Sequence, residues 1–246
     1  MHTIAFSASI AQNSVLQIDA ITDDVMSINS GRFLTQGGYS AYWAFGNSAN
    51  LERSRIAMPS FNPIAYPWFR FINRPAVGVP QPNVTSYLRQ PLRLPDKEYL
   101  AAQALQSGAG AEQVTLVLGI GQRLVPNVPG DVFTIRGTST TAATANAWTS
   151  ITTTWENDLE GGFYQVVGLR HSSANAHAAR LIGQYQVERP GSVSVRANSW
   201  RQDPIFEPGV LGEYLKFESD SFPSVQVLCG AADNAHDILM SVVKVR

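Results

Sequence analysis

Two stretches of this chain carry the same small set of residues at one fixed spacing. Residues 37–55 are GGYSAYWAFGNSANLERSR, and residues 162–180 are GFYQVVGLRHSSANAHAAR. An ungapped alignment at a spacing of 125 residues matches Gly37, Tyr39, Ser48, Ala49, Asn50 and Arg55 with Gly162, Tyr164, Ser173, Ala174, Asn175 and Arg180. Self-similarity of this kind is typical of a unit that has been duplicated and fused.

The same spacing continues towards the end of each half. It aligns Leu92 with Phe217, Leu100 with Val225, Ala102 with Val227 and Glu112 with Asp237, and it places the apolar run 114–118 on 239–243. A small-residue turn precedes the final strand of each half, at 107–110 and at 231–234. We therefore expect the two halves to superpose.

Alternating apolar and polar residues predict strands along most of the chain. The pattern begins with Ile4, Phe6, Ala8 and Ile10, and turn signals recur about every ten residues. Seven or eight short strands in each half is the pattern of a β-sandwich or jelly roll. The prediction is an all-β chain of two tandem jelly-roll-like units, 1–121 and 131–246, joined by a proline-containing linker at 122–130.

A short helical turn is predicted in each half, directly after the shared Ser-Ala-Asn. Asn50 and Asn175 are of a residue type that caps helices, and Leu51 and Arg55 fall on one helical face. Arg55 and Arg180 are expected to have equivalent roles, each bonding backbone carbonyls or a carboxylate near its own turn.

The composition argues against nucleic-acid binding and favours contact with other copies of the chain. Charged residues make up 15% of the sequence, against roughly 25% in ordinary domains, and the net charge is −1. Only 3 of the 18 cationic residues are lysines, a bias typical of interfaces that GC-rich codon usage also produces. The uncharged run 137–154 predicts a strand plus a contact surface, with disorder as the alternative.

The single cysteine and the first residues indicate the cellular compartment in which the protein is made. Cys229 excludes an intrachain disulfide and lies in an alternating run that predicts a buried thiol. Residues 1–6 lack the basic region and apolar core of a secretory signal, and no stretch approaches the roughly 18 apolar residues of a membrane span. We expect synthesis in a host cytoplasm, without export.

No motif in the sequence predicts a catalytic, cofactor-binding or metal-binding residue, and we expect neither an enzyme nor a bound cofactor. The segment 119–121 lacks the third glycine of a dinucleotide loop and predicts a strand end. His171 and His177 sharing a metal is an alternative, but their spacing is not that of a cupin-type metal enzyme. A second alternative is a cation held by Asp233, His236 and Asp237. The favoured interpretation of these three residues is that they are polar residues of a turn.

The tryptophans allow two interpretations. Core packing or subunit contact is favoured, and a sugar-binding platform is the alternative. The aromatic residues concerned are Trp43, Trp68, Trp148, Trp155 and Trp200, with Tyr66, Phe69 and Phe71.

Four features together suggest a family: the duplication around 37–55 and 162–180, the low charge, the lack of an active-site motif and the lack of an export signal. In these respects the chain resembles the double jelly-roll major capsid proteins of icosahedral bacterial and archaeal viruses. The resemblance implies a bacteriophage-type virion protein that forms a homotrimer. The six barrels of such a trimer form a pseudo-hexagonal tile of a self-assembling shell, often over an internal membrane.

Other functions stay open at this point. A single jelly-roll capsid protein or a virion accessory protein would share these features. A tandem carbohydrate-binding or adhesin module should carry an export signal and a cluster of exposed aromatic residues. A β-sandwich enzyme would need a convergent acid, base and cation site.

Overall fold

The chain is all-β in the part that the computed structural model describes. It describes residues 2–13, 15–18, 20, 21, 23, 33–35, 37–47, 50–58, 83–86, 91–122, 129–156, 159–184, 188–196 and 215–245. The strands are β1 (His2–Ile10), β2 (Val15–Ile18), β3 (Phe33–Leu34), β4 (Ser40–Asn47), β5 (Leu51–Ala57), β6 (Asn83–Ser86), β7 (Leu92–Arg93), β8 (Tyr99–Gln106), β9 (Glu112–Gly121), β10 (Val132–Ser139), β11 (Trp148–Ile151), β12 (Thr154–Trp155), β13 (Phe163–Ser173), β14 (Ala176–Ile182), β15 (Gly191–Val193), β16 (Val195–Arg196), β17 (Leu215–Glu218), β18 (Ser224–Cys229) and β19 (His236–Lys244). No helix among these residues is long and apolar enough to cross a membrane.

The chain forms two compact units. The N-terminal unit is Ile4–Gln122, and the C-terminal unit is Arg123–Arg246 together with Met1–Thr3. The first residues differ in this respect from the predicted unit 1–121, because the amide of Thr3 donates to the carbonyl of Arg189 at 2.9 Å. Most of the predicted linker, residues 123–128, lies outside the described residues, so its linker role stays a prediction.

The C-terminal unit has the strand order of a jelly roll. One sheet contains β10, β19, β13 and β17, and the other contains β11, β18, β14 and β15. Two short strands extend the first sheet, β12 beside β10 and β16 beside β13. The chain crosses repeatedly between the two sheets. Of its last two strands, β19 lies between β10 and β13 in the first sheet, and β18 lies between β11 and β14 in the second. This is the double Greek-key arrangement of a jelly roll.

The N-terminal unit repeats the order of the three main strands in each sheet. Its first sheet contains β1, β9 and β4, with β6 and β7 beside β4, and its second contains β2, β8 and β5, with β3 beside β8. The strands β1, β9 and β4 therefore correspond to β10, β19 and β13. In the same way β2, β8 and β5 correspond to β11, β18 and β14.

Register shifts of the β-bulge type recur at matching positions in the two units. Strand β4 shifts against β9 between residues 41 and 43, and β13 shifts against β19 between 166 and 168. Strand β5 shifts against β8 between 51 and 53, and β14 shifts against β18 between 176 and 178. Both pairs lie 125 residues apart. Because bulges persist within families as fixed features of a fold, their coincidence confirms the predicted duplication.

The spacing between corresponding residues changes towards the end of each unit. Ile56 pairs with Ala102 as Leu181 pairs with Val225, so that Ala102 corresponds to a residue 123 positions later. By the same argument Ile120, opposite residue 41, corresponds to Val242, opposite residue 166, at a spacing of 122. The predicted alignments at a spacing of 125 are therefore wrong for Leu92, Leu100, Ala102, Glu112 and the run 114–118.

The burial of the last strands agrees with the spacing of 122. An odd error in spacing exchanges the core face of a strand for its outer face. At the spacing of 122, residues 116, 118 and 120 correspond to 238, 240 and 242, and all six side chains are buried. The core of the N-terminal unit contains Phe6, Ile56 and Leu116. In the C-terminal unit Leu169, Leu181 and the predicted buried thiol Cys229 are fully buried.

The predicted helical turns are wrong, because strands follow the shared Ser-Ala-Asn in both halves. Strand β13 ends at Ser173 and β14 begins at Ala176, which leaves only two residues between them. In the first half β5 begins directly after Asn50, and residues 54, 56 and 58 are buried at the period of a strand. The capping residue types act in a tight connection instead of at a helix.

Candidate functional site

The structure joins His171 to His236 and not, as the metal alternative assumed, to His177. The Nε2 atom of His171 lies 3.2 Å from the Nδ1 atom of His236, and their ring centroids are 5.3 Å apart. Both residues belong to neighbouring strands of one sheet, whereas His177 belongs to β14 of the other sheet. Within the described ranges no group of three His, Cys, Asp or Glu side chains could hold a metal ion.

Hydrogen bonds extend the histidine pair at both ends. Nδ1 of His171 lies 2.6 Å from the hydroxyl of Ser194, and Nε2 of His236 lies 3.2 Å from the carbonyl oxygen of Thr141. Because a carbonyl only accepts, Nε2 of His236 carries the hydrogen. With both rings neutral, His171 then donates from Nε2 to His236, and Ser194 donates to Nδ1 of His171. The single carbonyl thus determines both tautomers.

The environment keeps His171 neutral. Burial lowers its pKa to about 3, and the neighbouring His236 acts in the same direction, while Asp233 acts against both. His171 is fully buried, and His236 is only 3% exposed. At neutral pH His171 is therefore an uncharged hydrogen-bonding group in the interior of the C-terminal unit.

The carboxylates of the cation alternative are engaged by the fold. Asp233 accepts from the hydroxyl of Ser173, from the amide of Asn175 at 2.9 Å and from the amide of Ala235 at 3.3 Å. Burial alone would raise the pKa of Asp233, but these hydrogen bonds together lower it. Asp237 instead forms a two-point ion pair with Arg136, at 2.9 and 3.0 Å. The contacts of Asp233 stabilise the turn before β19, and the ion pair of Asp237 links the paired strands β10 and β19.

The described tryptophans pack against other side chains. Trp155 stacks on Phe222 with ring centroids 5.5 Å apart, and Phe222 contacts Phe217, which contacts Tyr164. Trp148 lies under the guanidinium of Arg180, 4.2 Å from ring centroid to Cζ. The side chains of the remaining candidates for a sugar platform lie outside the described residues, and that alternative stays a prediction.

The matched arginines have equivalent partners, which are glutamines. Nε of Arg55 donates to the amide oxygen of Gln103 at 2.7 Å, and Nε of Arg180 donates to that of Gln226 at 2.8 Å. Each glutamine lies directly opposite its arginine on the paired strand. The expectation of a helical turn beside them was wrong, because both arginines lie within strands.

The surroundings of the two arginines differ. Arg180 is 1% exposed and also donates from Nη1 to the carbonyl of Thr3 at 3.2 Å. Arg55 is only partly buried. The sequence predicted the matching arginines, but it could not show this difference in burial.

Five large apolar side chains stand out at the surface of the described residues. Val132, Phe133 and Phe163 lie at the beginnings of β10 and β13 in one sheet of the C-terminal unit, each 44–51% exposed. Leu34 and Tyr99 lie directly opposite each other on β3 and β8, 47% and 49% exposed. Sequence alternation did not single these positions out, because strand-initial residues follow the same pattern as core residues.

Comparison with known proteins yields one distant structural match. No protein-family model matches the chain, and no curated protein matches it. Among solved structures, the crystal structure of the major capsid protein P2 from bacteriophage PM2 aligns over 98% of both chains. The sequences are 9% identical in this alignment, and the TM-score is 0.24.

Proposed function

We propose that the chain is a structural virion protein, the major capsid protein of an icosahedral bacterial or archaeal virus. In this proposal three copies form a homotrimer, and the trimer is the pseudo-hexagonal tile of the shell. Its partners are other copies of itself, with further virion proteins and an internal membrane as additional neighbours, and it binds no specific nucleic-acid sequence. It is made in the host cytoplasm and resides in the virion.

The observation that carries the proposal is the repetition of one jelly roll in a single chain. Both units have the same order of three main strands in each sheet, and both carry register shifts at positions 125 residues apart. A trimer of two similar units presents six similar lobes, which suit a hexagonal lattice. Fusion also halves the number of chains ordered for each tile, which lowers the association entropy cost per tile.

The exposed apolar residues supply surface for contacts between copies. Val132, Phe133 and Phe163 expose about half of their area in one sheet, and the run 137–154, which begins near the other end of β10, carries no charge. Apolar surface with little charge is typical of the buried centre of an interface.

Light scattering of the purified protein across a concentration series tests the proposal. We expect the mass of a trimer and, at higher concentration, larger assemblies. A mass of 26.8 kDa at every concentration and salt would contradict it.

A matched pair of variants tests whether the exposed apolar residues take part. Phe133→Asp places a charge at an exposed apolar side chain, and Thr134→Asp places it at the next exposed residue of the same strand. We expect Phe133→Asp alone to shift assembly to at least tenfold higher concentration. Equal behaviour of the two variants would remove this surface from the interface.

A further inference from the structure

The hydrogen-bonded histidine pair has no part in the proposed function, and it joins two connections of the C-terminal unit. Thr141 lies in the connection between β10 and β11, and Ser194 lies between β15 and β16. A series of contacts links the two residues: Ser194 to His171 at 2.6 Å, His171 to His236 at 3.2 Å, and His236 to Thr141 at 3.2 Å. The side chains of the three polar residues Ser194, His171 and His236 are at most 3% exposed.

One added proton reverses this series without breaking it. His236 keeps its Nε2–H towards the carbonyl of Thr141, so the new proton enters at Nδ1. His171 then accepts at Nε2 and moves its own hydrogen to Nδ1, from which it donates to the hydroxyl oxygen of Ser194. Every contact retains one donor and one acceptor, and the pair carries one positive charge.

A second proton breaks the series. Both rings would then carry hydrogens on the nitrogens that are 3.2 Å apart, and two positive charges would lie in a buried site. The charged and titratable groups of the surrounding elements are Asp233 before β19, Asp237 with its partner Arg136, Arg170 on β13 and His177 on β14. Of these, Asp233 favours the charged form of His171, and its carboxylate is already held by the turn.

We propose that Ser194, His171, His236 and Thr141 form an acid-sensitive latch between the two connections. The latch takes up one proton by reversing its hydrogen bonds, and it opens when the second proton arrives.

Nitrogen-15 NMR of the full-length protein labelled at histidine tests the reversal. At pH 7.5 we expect both His171 and His236 as the Nε2–H tautomer. On acidification His171 should change to the Nδ1–H tautomer when the series takes up its first proton. An Nδ1–H tautomer of His171 at pH 7.5, or an Nε2–H tautomer of His171 that persists throughout acidification, would overturn the proposal.

The variant His171→Gln supplies a second measurement, because glutamine keeps a neutral donor and acceptor but does not titrate. The folding equilibrium constant is measured in urea at pH 8 and at pH 4.5 for wild type and variant. At two pH units below the ordinary histidine pKa, a histidine that is protonated only in the unfolded state lowers the folding equilibrium constant about 100-fold. We therefore expect the folding equilibrium constant of the variant to fall about 100-fold less than that of wild type between pH 8 and pH 4.5. If the variant loses the same factor as wild type, the latch does not sense pH.

Discussion

Replacing Arg180 by lysine should destabilise the protein far more than the same replacement at Arg55. The two positions match in the duplication, and each arginine donates from Nε to a glutamine on the opposite strand. Lysine keeps the positive charge but lacks the planar fork that makes these directed bonds. The pair of variants therefore compares one chemical change in two degrees of burial.

The magnitude follows from the contacts of each side chain. At Arg180 lysine loses the bond to Gln226 and the stacking on Trp148, while its charge stays buried beside the carbonyl of Thr3. One hydrogen bond to a charged group contributes about 1.5–3 kcal/mol, and a cation–π contact about 0.5–2 kcal/mol. We expect a loss of about 2–5 kcal/mol at Arg180. At Arg55, where water replaces the lost bond, we expect about 1 kcal/mol or less.

Differential scanning calorimetry and urea titration measure both variants. For a unit of this size 1 kcal/mol corresponds to about 4 °C in Tm, so Arg180→Lys should lower the transition of the C-terminal unit by about 8–20 °C. Equal losses at the two positions would refute the reasoning, because they would mean that burial does not set the energy of the arginine–glutamine pair.

Two further substitutions follow from single contacts. Gly191→Ala would place its Cβ against the backbone carbonyl of Ala179, which cannot move aside within the sheet, so we expect a loss of about 3 kcal/mol; Gly161→Ala, with no atom within 4 Å of its Cβ, should change the free energy of unfolding by less than about 0.5 kcal/mol. Asp233→Asn should cost about 1–2 kcal/mol at pH 7 by weakening the bonds to Ser173 and Asn175. Because the folded-state pKa of Asp233 is lowered, its contribution is present above the unfolded pKa and is lost as the pH falls through the folded value. The difference between wild type and Asp233→Asn should therefore shrink on acidification, and a constant difference in urea melts from pH 7 to pH 3 would contradict this assignment.

The sequence predicted the fold class and the duplication because strand period and repeat are local properties of the chain. The segment 37–55 and its copy contain the shared turn and the start of both register shifts, so an ungapped match was visible. The helical turn was mispredicted because asparagine caps and tight connections use the same residue types. The register of the last strands was mispredicted because short changes in connection length leave no mark on apolar composition.

The contacts of the candidate site depended on pairings between distant strands. His171 and His236 are 65 residues apart in sequence, and only the pairing of β13 with β19 brings them together. The closer spacing of His171 and His177 suggested the wrong partner, since β13 and β14 diverge into different sheets. The equivalence of Arg55 and Arg180 was predictable from the repeat, whereas their glutamine partners required the strand register.

Electron microscopy of the purified protein after concentration tests the central claim most directly. We expect trimeric particles with six lobes, which join into hexagonally packed sheets or closed shells as concentration rises. Isolated two-lobed particles at every concentration, with no trimers and no lattice, would contradict it.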